Sequence, residues 1–243
     1  MSQTEPTADH APPFPKWMLA MLAVTALIVA GSAAMVVTRG GRTGPAQQSG
    51  ARPGPLAPDA GLESLRVPSF SLVDQHGEPV SERVFDGRVT ILDFSFTNCP
   101  FVCPGMTAAI LSLQSELVGT GVRFASISVD PVHDTPSVIR AHADRMGVDH
   151  GRWTWMTGEQ AEVKRIVSES LMFELQDDPS RPITLADGST MNNIMHPSRL
   201  FLVGPDRRVL SLYTFNDPQA IDALRQRALE CVRELGATSP RGG

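Results

Sequence analysis

The chain has 243 residues, a formal net charge of -5, 20 Gly, 20 Pro and three Cys. The acidic balance gives no support to a nucleic-acid partner, which calls for a basic excess, and three cysteines are too few for a disulfide-built scaffold. With an N-terminal leader set aside, the length leaves one domain large enough for its own apolar core.

Residues 1–16 are polar and proline-containing without hydrophobic period, and read as a disordered N-terminus. Residues 17–37, from Trp17 to Val37, are uncharged and mostly apolar. A bilayer span takes ~20 such residues, so the run is predicted to be an uncleaved transmembrane anchor. The competing reading is a signal peptide cut near Gly31-Ser32-Ala33-Ala34, where small residues cluster. The run is longer than a usual signal core, and it lacks the polar face of a soluble helix. Only Lys16 precedes it closely, while Arg39, Arg42 and Arg52 follow. Counted literally, that charge bias places the following domain in the cytoplasm. The chemistry of the site points outside, and long domains translocate largely regardless of such charges. Residues 38–66 carry Gly40-Gly41-Arg42-Thr43-Gly44-Pro45 and Arg52-Pro53-Gly54-Pro55, the composition of a flexible linker.

The folded domain is predicted over residues 67–238. Phe70 to Val73 reads as a short strand before the turn Asp74-Gln75-His76-Gly77. Val89 to Phe96 is an apolar, β-rich run and reads as a central strand, with Val122 to Val129 as a second, ended by Asp130-Pro131. Between them, Thr107 to Leu117 reads as a helix. Thr135 and Pro136 supply an N-cap and a first helical residue for a helix through Met146. Trp153 to Met156 reads as a strand and Glu159 to Leu171 as a helix. Asp177 to Asn193 is polar, with Pro179, Pro182 and Gly188, and reads as an inserted loop or hairpin. Arg199 to Val203 and Val209 to Tyr213 flank the turn Gly204-Pro205-Asp206-Arg207 as a β-hairpin, and Asp217-Pro218 opens a last helix to about Leu235. Strands alternating with helices, closed by a hairpin and a helix, describe an α/β sandwich of thioredoxin-like type with a β-hairpin extension.

The chemistry concentrates in Asp93-Phe94-Ser95-Phe96-Thr97-Asn98-Cys99-Pro100-Phe101-Val102-Cys103-Pro104, where a strand gives way to a helix. The two cysteines are spaced i, i+4. If the first helical turn includes both, their sulfurs share one face, close enough to grip one ion or to form a disulfide. A helix N-terminus also favours the thiolate, which binds soft metals and attacks disulfides. The spacing leaves the metal and redox readings open. A thioredoxin-type redox pair has two intervening residues, not three. A peroxidase needs a cysteine beside an activating Arg and an oxidant pocket, an arrangement the sequence does not show.

Thr97-Asn98-Cys99-Pro100-Phe101-Val102-Cys103-Pro104 resembles the TxCPxxCP signature of the Sco (SenC-type) copper proteins. Ser128-Val129-Asp130-Pro131-Val132-His133-Asp134-Thr135-Pro136 is similar to that family's SVDPxxDTP segment, and His196-Pro197-Ser198 to its histidine after a variable loop. The matches keep the family's order from about Phe70 to Tyr213. The resemblance implies copper, as Cu(I) and/or Cu(II), bound by Cys99, Cys103 and His196. Cys99 and Cys103 would cycle between dithiol and disulfide, and the loop Asp177–Met195 would move to bring His196 in. It also implies a single-pass protein of a bacterial-type cytoplasmic membrane, its soluble domain facing the periplasm. The partner would be the CuA site of cytochrome c oxidase subunit II, or another copper acceptor. Family members are described both as copper donors and as thiol reductants for that site, so a thiol–disulfide oxidoreductase is the alternative and a redox or copper sensor a third reading. Two thiolates and an imidazole independently suit a soft ion, and three ligands leave a position open for transfer. Phe101 departs from the acidic residue, and Asn98 from the histidine, that many members carry there.

Other candidates have plainer readings. Met191 and Met195 flank the histidine and offer thioethers, though loop packing accounts for them, and Met106 reads as core. Asp130 and Asp134 suggest an oxygen-rich corner, but a turn closure and a helix start explain them; the resemblance adds an outer role for Asp130 near the metal. His76, His133, His142 and His150 receive no role. Cys231 shares a helical apolar stripe with Leu224, Ala228 and Leu235 and reads as a core thiol.

Overall fold

The computed structural model describes residues 54–238. The expected disordered N-terminus, the anchor over 17–37 and the first part of the linker lie outside them. Among the described residues no helix is long and apolar enough to cross a membrane.

Among the described residues, nine strands alternate with four helices. In chain order they are β1 (Leu72–Asp74), β2 (Pro79–Val80), β3 (Thr90–Ser95), α1 (Cys103–Glu116), β4 (Arg123–Ser128), α2 (Pro136–Met146), β5 (Trp153–Thr157), α3 (Gln160–Lys164), β6 (Gln176–Thr184), β7 (Thr190–Met195), β8 (Arg199–Val203), β9 (Val209–Thr214) and α4 (Pro218–Thr238). A single 3-10 turn, Glu82–Phe85, precedes β3, and Arg165–Ser170 continues α3 as a wider π-turn. Seven strands form one sheet in the order β2-β1-β5-β4-β3-β8-β9. The centre, β5-β4-β3, is parallel, and the antiparallel strands lie outside it. Parallel pairing requires crossovers, and α1 and α2 supply them.

All six residues of β3 are buried, as expected of a central strand covered on both faces. The pleat then sorts its side chains. Leu92 and Phe94 join one apolar layer with Ala125 and Ile127 of β4, while Ile91 faces the other with Phe124. Met106, Ile110 and Leu113 of α1, Ile139 and Ala143 of α2, and Leu224, Ala228 and Cys231 of α4 fill the second layer. The first is closed by Val163, Ile166 and Val167, with Ile183, Met191 and Ile194 of the β6–β7 hairpin. The segment read as an inserted loop or hairpin is therefore a two-stranded antiparallel sheet of its own. Gly105, two residues after Cys103, lets α1 approach Phe215: a Cβ there would lie 2.8 Å from the ring.

The ordered chain begins before residue 67. Asp59 N–H donates to Leu210 O at 2.8 Å, Val209 N–H to Leu65 O at 2.9 Å, and Arg227 Nη1 lies 2.5 Å from Asp59 Oδ1. Leu56, Leu62 and Leu65 pack against the two layers. Gly and Pro gave this stretch the composition of a linker, but three leucines and one aspartate anchor its second half to β9 and α4.

Candidate metal centre

Cys103 opens α1, followed by Pro104, which fits the first helical turn because its missing N–H has no partner to lose there. Cys99 does not belong to that turn. It sits in the loop between β3 and α1, with its N–H donating to Phe96 O at 3.2 Å. The condition that one helical turn include both thiols is therefore not met, since Pro100 to Val102 stay outside the helix. The loop nonetheless brings the sulfurs together. Cys99 Sγ, Cys103 Sγ and a ring nitrogen of His196 lie within 4.8 Å of one another, the sole cluster of three or more Cys, His or carboxylate donors among the described residues.

His196 follows β7 directly. Its Nε2 is 3.6 Å from Cys103 Sγ, so the β6–β7 hairpin already holds it at the cysteines and no movement is required to bring it in. Nδ1 lies 3.3 Å from Pro197 O, and Nε2 faces the sulfurs. Phe96 meets the imidazole edge-on at 5.8 Å and fixes its plane.

The thiols are strongly unequal. Cys99 is drawn down to about 4, chiefly because the Cys103 thiol donates to it, with help from His196 and against burial. Cys103 is pushed far above the ordinary thiol range because it keeps the shared proton, with burial and the Cys99 charge adding to that. The thiolate favoured by a helix start is therefore the cysteine just before the helix.

Two buried carboxylates frame the pair. Asp134 is fully buried and accepts from Thr97 N–H at 3.0 Å, Thr97 Oγ1 at 2.5 Å and Ser128 Oγ at 2.6 Å. It ties the loop after β4 to the chain two residues before Cys99, so its role is anchoring rather than helix capping. Burial raises its pKa against those hydrogen bonds. Asp130 closes its turn as expected, accepting from Asp134 N–H through its carbonyl, and its carboxylate pairs with His133 Nδ1 at 2.8 Å. Thr135 does begin α2, but its hydroxyl meets Ser137 instead of capping the helix.

Asp93 escaped the sequence reading. It is 1% exposed on β3, accepts from Ser126 Oγ, and lies within electrostatic reach of His196 and Cys103. Burial pushes its carboxyl up to about 6, against the Ser126 hydrogen bond. The available signal was a lone acid inside Ile91-Leu92-Asp93-Phe94, a run otherwise fit for a strand buried on both faces.

A cleft of about 440 Å³ opens onto Cys99 and His196, with Met195, Phe101 and Arg181 on its walls. The Arg181 guanidinium of β6 lies 4.9 Å above the exposed Phe101 ring and links the hairpin to the cysteine loop. Met191 packs into the core, whereas Met195 is partly exposed at the cleft. Met106 is fully buried. Cys231 donates to Pro55 O at 3.0 Å, and burial pushes its thiol up to about 11, away from any reactive state.

The sequence model of the SCO1/SenC family matches residues 59–229. The chain belongs to the SCO1/SenC family. The SCO1 protein homolog of Bacillus subtilis is 32% identical over 62% of this chain and 74% of its own length. Another relative is matched over only 43% of its length. Among solved structures, BsSco, described with a disulfide switch and as a member of the Sco family of cytochrome c oxidase assembly proteins, is 28% identical. It covers 72% of this chain and 96% of its own, with a TM-score of 0.56. The copper-bound Sco I protein of Arabidopsis thaliana is 25% identical, covering 69% and 98%, with a TM-score of 0.54. The Sco match establishes the thioredoxin-like fold. Two sulfurs and an imidazole nitrogen are soft to borderline donors, so the site of this Sco chain fits a Cu(I)-type ion better than a hard oxygen-seeking one.

Proposed function

We propose that the protein carries copper and helps deliver it to the CuA site of cytochrome c oxidase subunit II. The observation behind this reading is the convergence of Cys99, Cys103 and His196 donor atoms within 4.8 Å at the edge of an open cleft. Copper is the cargo. Cys99 meets it already as a thiolate, and Cys103 gives up its proton on binding, so loading releases a proton. His196 presents Nε2 from an already ordered ring. Three donors leave a coordination position for an acceptor's ligand, which lets the ion pass by ligand exchange without becoming free. The reading also places the domain outside the cytoplasmic membrane, tethered by the apolar run over 17–37.

The inequality of the two thiols favours a second reading, a thiol–disulfide oxidoreductase that keeps the acceptor's cysteines reduced. A low-pKa attacking thiolate beside a protonated partner is what exchange chemistry uses. The test is an anaerobic Cu(I) titration of the reduced chain, followed by transfer to the reduced copper-binding domain of subunit II. One tightly bound ion, weakened by His196→Ala and by Cys99→Ala and passed to the acceptor, is the expected result. No tight binding, with ready disulfide formation and acceptor reduction that survives His196→Ala, would replace the carrier with the reductase.

A further inference from the structure

A second, smaller cavity touches the cysteine pair. It measures about 120 Å³ and shares only Cys99 with the cleft at His196. Its walls include Cys99 and Cys103, His142 and Met146 of α2, and Trp155 of β5. His142 and Met146 are spaced i, i+4, which puts an imidazole and a thioether on the same face of α2. Both are half-buried, whereas Trp155 is 1% exposed, so α2 forms the wall nearer water. The His142 ring stands 5.5 Å from the Trp155 ring, tilted by 55°. Neither His142 ring nitrogen has a hydrogen-bond partner among the described residues, although polar atoms withdrawn from water usually have one.

The donor chemistry of this cavity is selective. No carboxylate lines it, so it offers nothing to a hard, oxygen-seeking cation. An imidazole and a thioether suit a soft ion, and the thioether favours Cu(I). The face of an indole attracts a cation within about 6 Å of its centre, more strongly than a phenyl face does. Trp155 Nε1 has no hydrogen-bond partner among the described residues, so what this indole brings to the cavity is its ring. Arg145 acts on His142 from the exposed side of α2, where water and salt screen it.

We propose that this cavity is a second Cu(I) site, in which the His142 imidazole and the Met146 thioether hold the ion against the Trp155 ring. Water leaves as the two donors bind, and the ion keeps its charge. An ion held here stands beside Cys99 and Cys103 while the cleft at His196 stays open to an acceptor, a loading position for the carrier. That loading role rests on the carrier reading; the binding does not, because neither of its ligands belongs to the Cys99, Cys103 and His196 set.

The test is an anaerobic Cu(I) titration of the reduced full chain against a chromophoric Cu(I) chelator, with tryptophan emission recorded at each addition. A Cys99→Ala/Cys103→Ala variant, which removes the carrier site, is titrated in parallel. The expected result is a second equivalent, weaker than the first, that quenches tryptophan emission and remains in the double variant. Met146→Leu conserves volume, and His142→Phe keeps a ring in the wall. Changing even an outer partner of a metal ligand costs about 10–100-fold in affinity. Each substitution is therefore expected to weaken the second equivalent at least about tenfold and to leave the first unchanged. Absence of a second equivalent would overturn the proposal and leave a cavity that holds only water. A second equivalent that vanishes with the two cysteines, keeps wild-type affinity in either α2 variant, or leaves tryptophan emission unchanged would overturn it too, as an ion bound elsewhere on the chain. Loss of the tight first equivalent with the second intact would remove the carrier reading and spare this one.

Discussion

Asp93→Asn isolates the cost of keeping a carboxylate beneath the cysteine pair. The side chain is 1% exposed, and burial moves its carboxyl from an ordinary 3.8 to about 6. Between those values the folded protein holds a proton that the unfolded chain has lost, so stability falls as pH rises through that window. Above it both states are ionised and the penalty is constant, ~3 kcal/mol from the shift. Asparagine keeps the size and an acceptor for Ser126 Oγ, but its new amide N–H2 lacks an evident partner, at a cost of ~1–2 kcal/mol. The variant is therefore expected to be more stable than the wild type by ~1–2 kcal/mol at pH 7.5, a Tm gain of ~2–8 °C for a domain of this size. At pH 4 the wild-type carboxyl is protonated, and the order should reverse. Urea unfolding of the reduced chain at several pH values between 4 and 8, wild type against variant, measures this difference directly. A difference that stays flat across that range would refute the assignment of a raised, buried carboxyl to Asp93.

Three further changes probe the site and its frame. Cys103→Ala removes the hydrogen bond that contributes most to lowering Cys99, so the midpoint for Cys99 alkylation, about 4 in the wild type, should climb toward the ordinary thiol range; the pH profile of iodoacetamide labelling reads this. Asp134→Ala leaves the partly buried Thr97 N–H without its acceptor and two hydroxyls to reorient, and should destabilise the fold by ~2–4 kcal/mol in denaturant unfolding while slowing copper loading. Arg181→Ala removes the stacking on Phe101, worth ~0.5–1 kcal/mol at an exposed position; global stability should barely change, while bound Cu(I) passes to a competing chelator faster. An unchanged transfer rate would mean that the Arg181–Phe101 contact does not restrain the hairpin at the metal.

Local pattern and chain order were enough for much of this protein. The apolar β-rich runs of β3 and β4, the Thr135-Pro136 helix start, the Gly204-Pro205-Asp206-Arg207 hairpin turn and the stripe holding Cys231 each depend on neighbours in sequence, and each is present. Cys99, Cys103 and His196 were legible because two cysteines four apart between a strand and a helix are rare, and because their surroundings match a family motif. Residues 54–66 have the composition of a linker, yet Leu62, Leu65 and Asp59 pack on the domain, because composition registers Gly and Pro but not the surfaces that receive these side chains.

What only the tertiary structure decided is how non-adjacent groups share protons and space. Sequence spacing left open whether one helical turn holds both cysteines; the fold keeps Cys99 outside it and separates the thiols into a thiolate and a protonated partner. That separation arises from a contact across three loop residues and from an imidazole 93 positions further on. Asp134 was legible as a residue near a helix start, but its partners lie elsewhere: Ser128 ends β4, and Thr97 follows β3, 37 positions earlier in the chain. The raised carboxyl of Asp93 comes from the segments packed around it, not from its neighbours in sequence. Burial and electrostatic environment belong to the packed molecule, since a side chain's access to water depends on which distant segments fold over it.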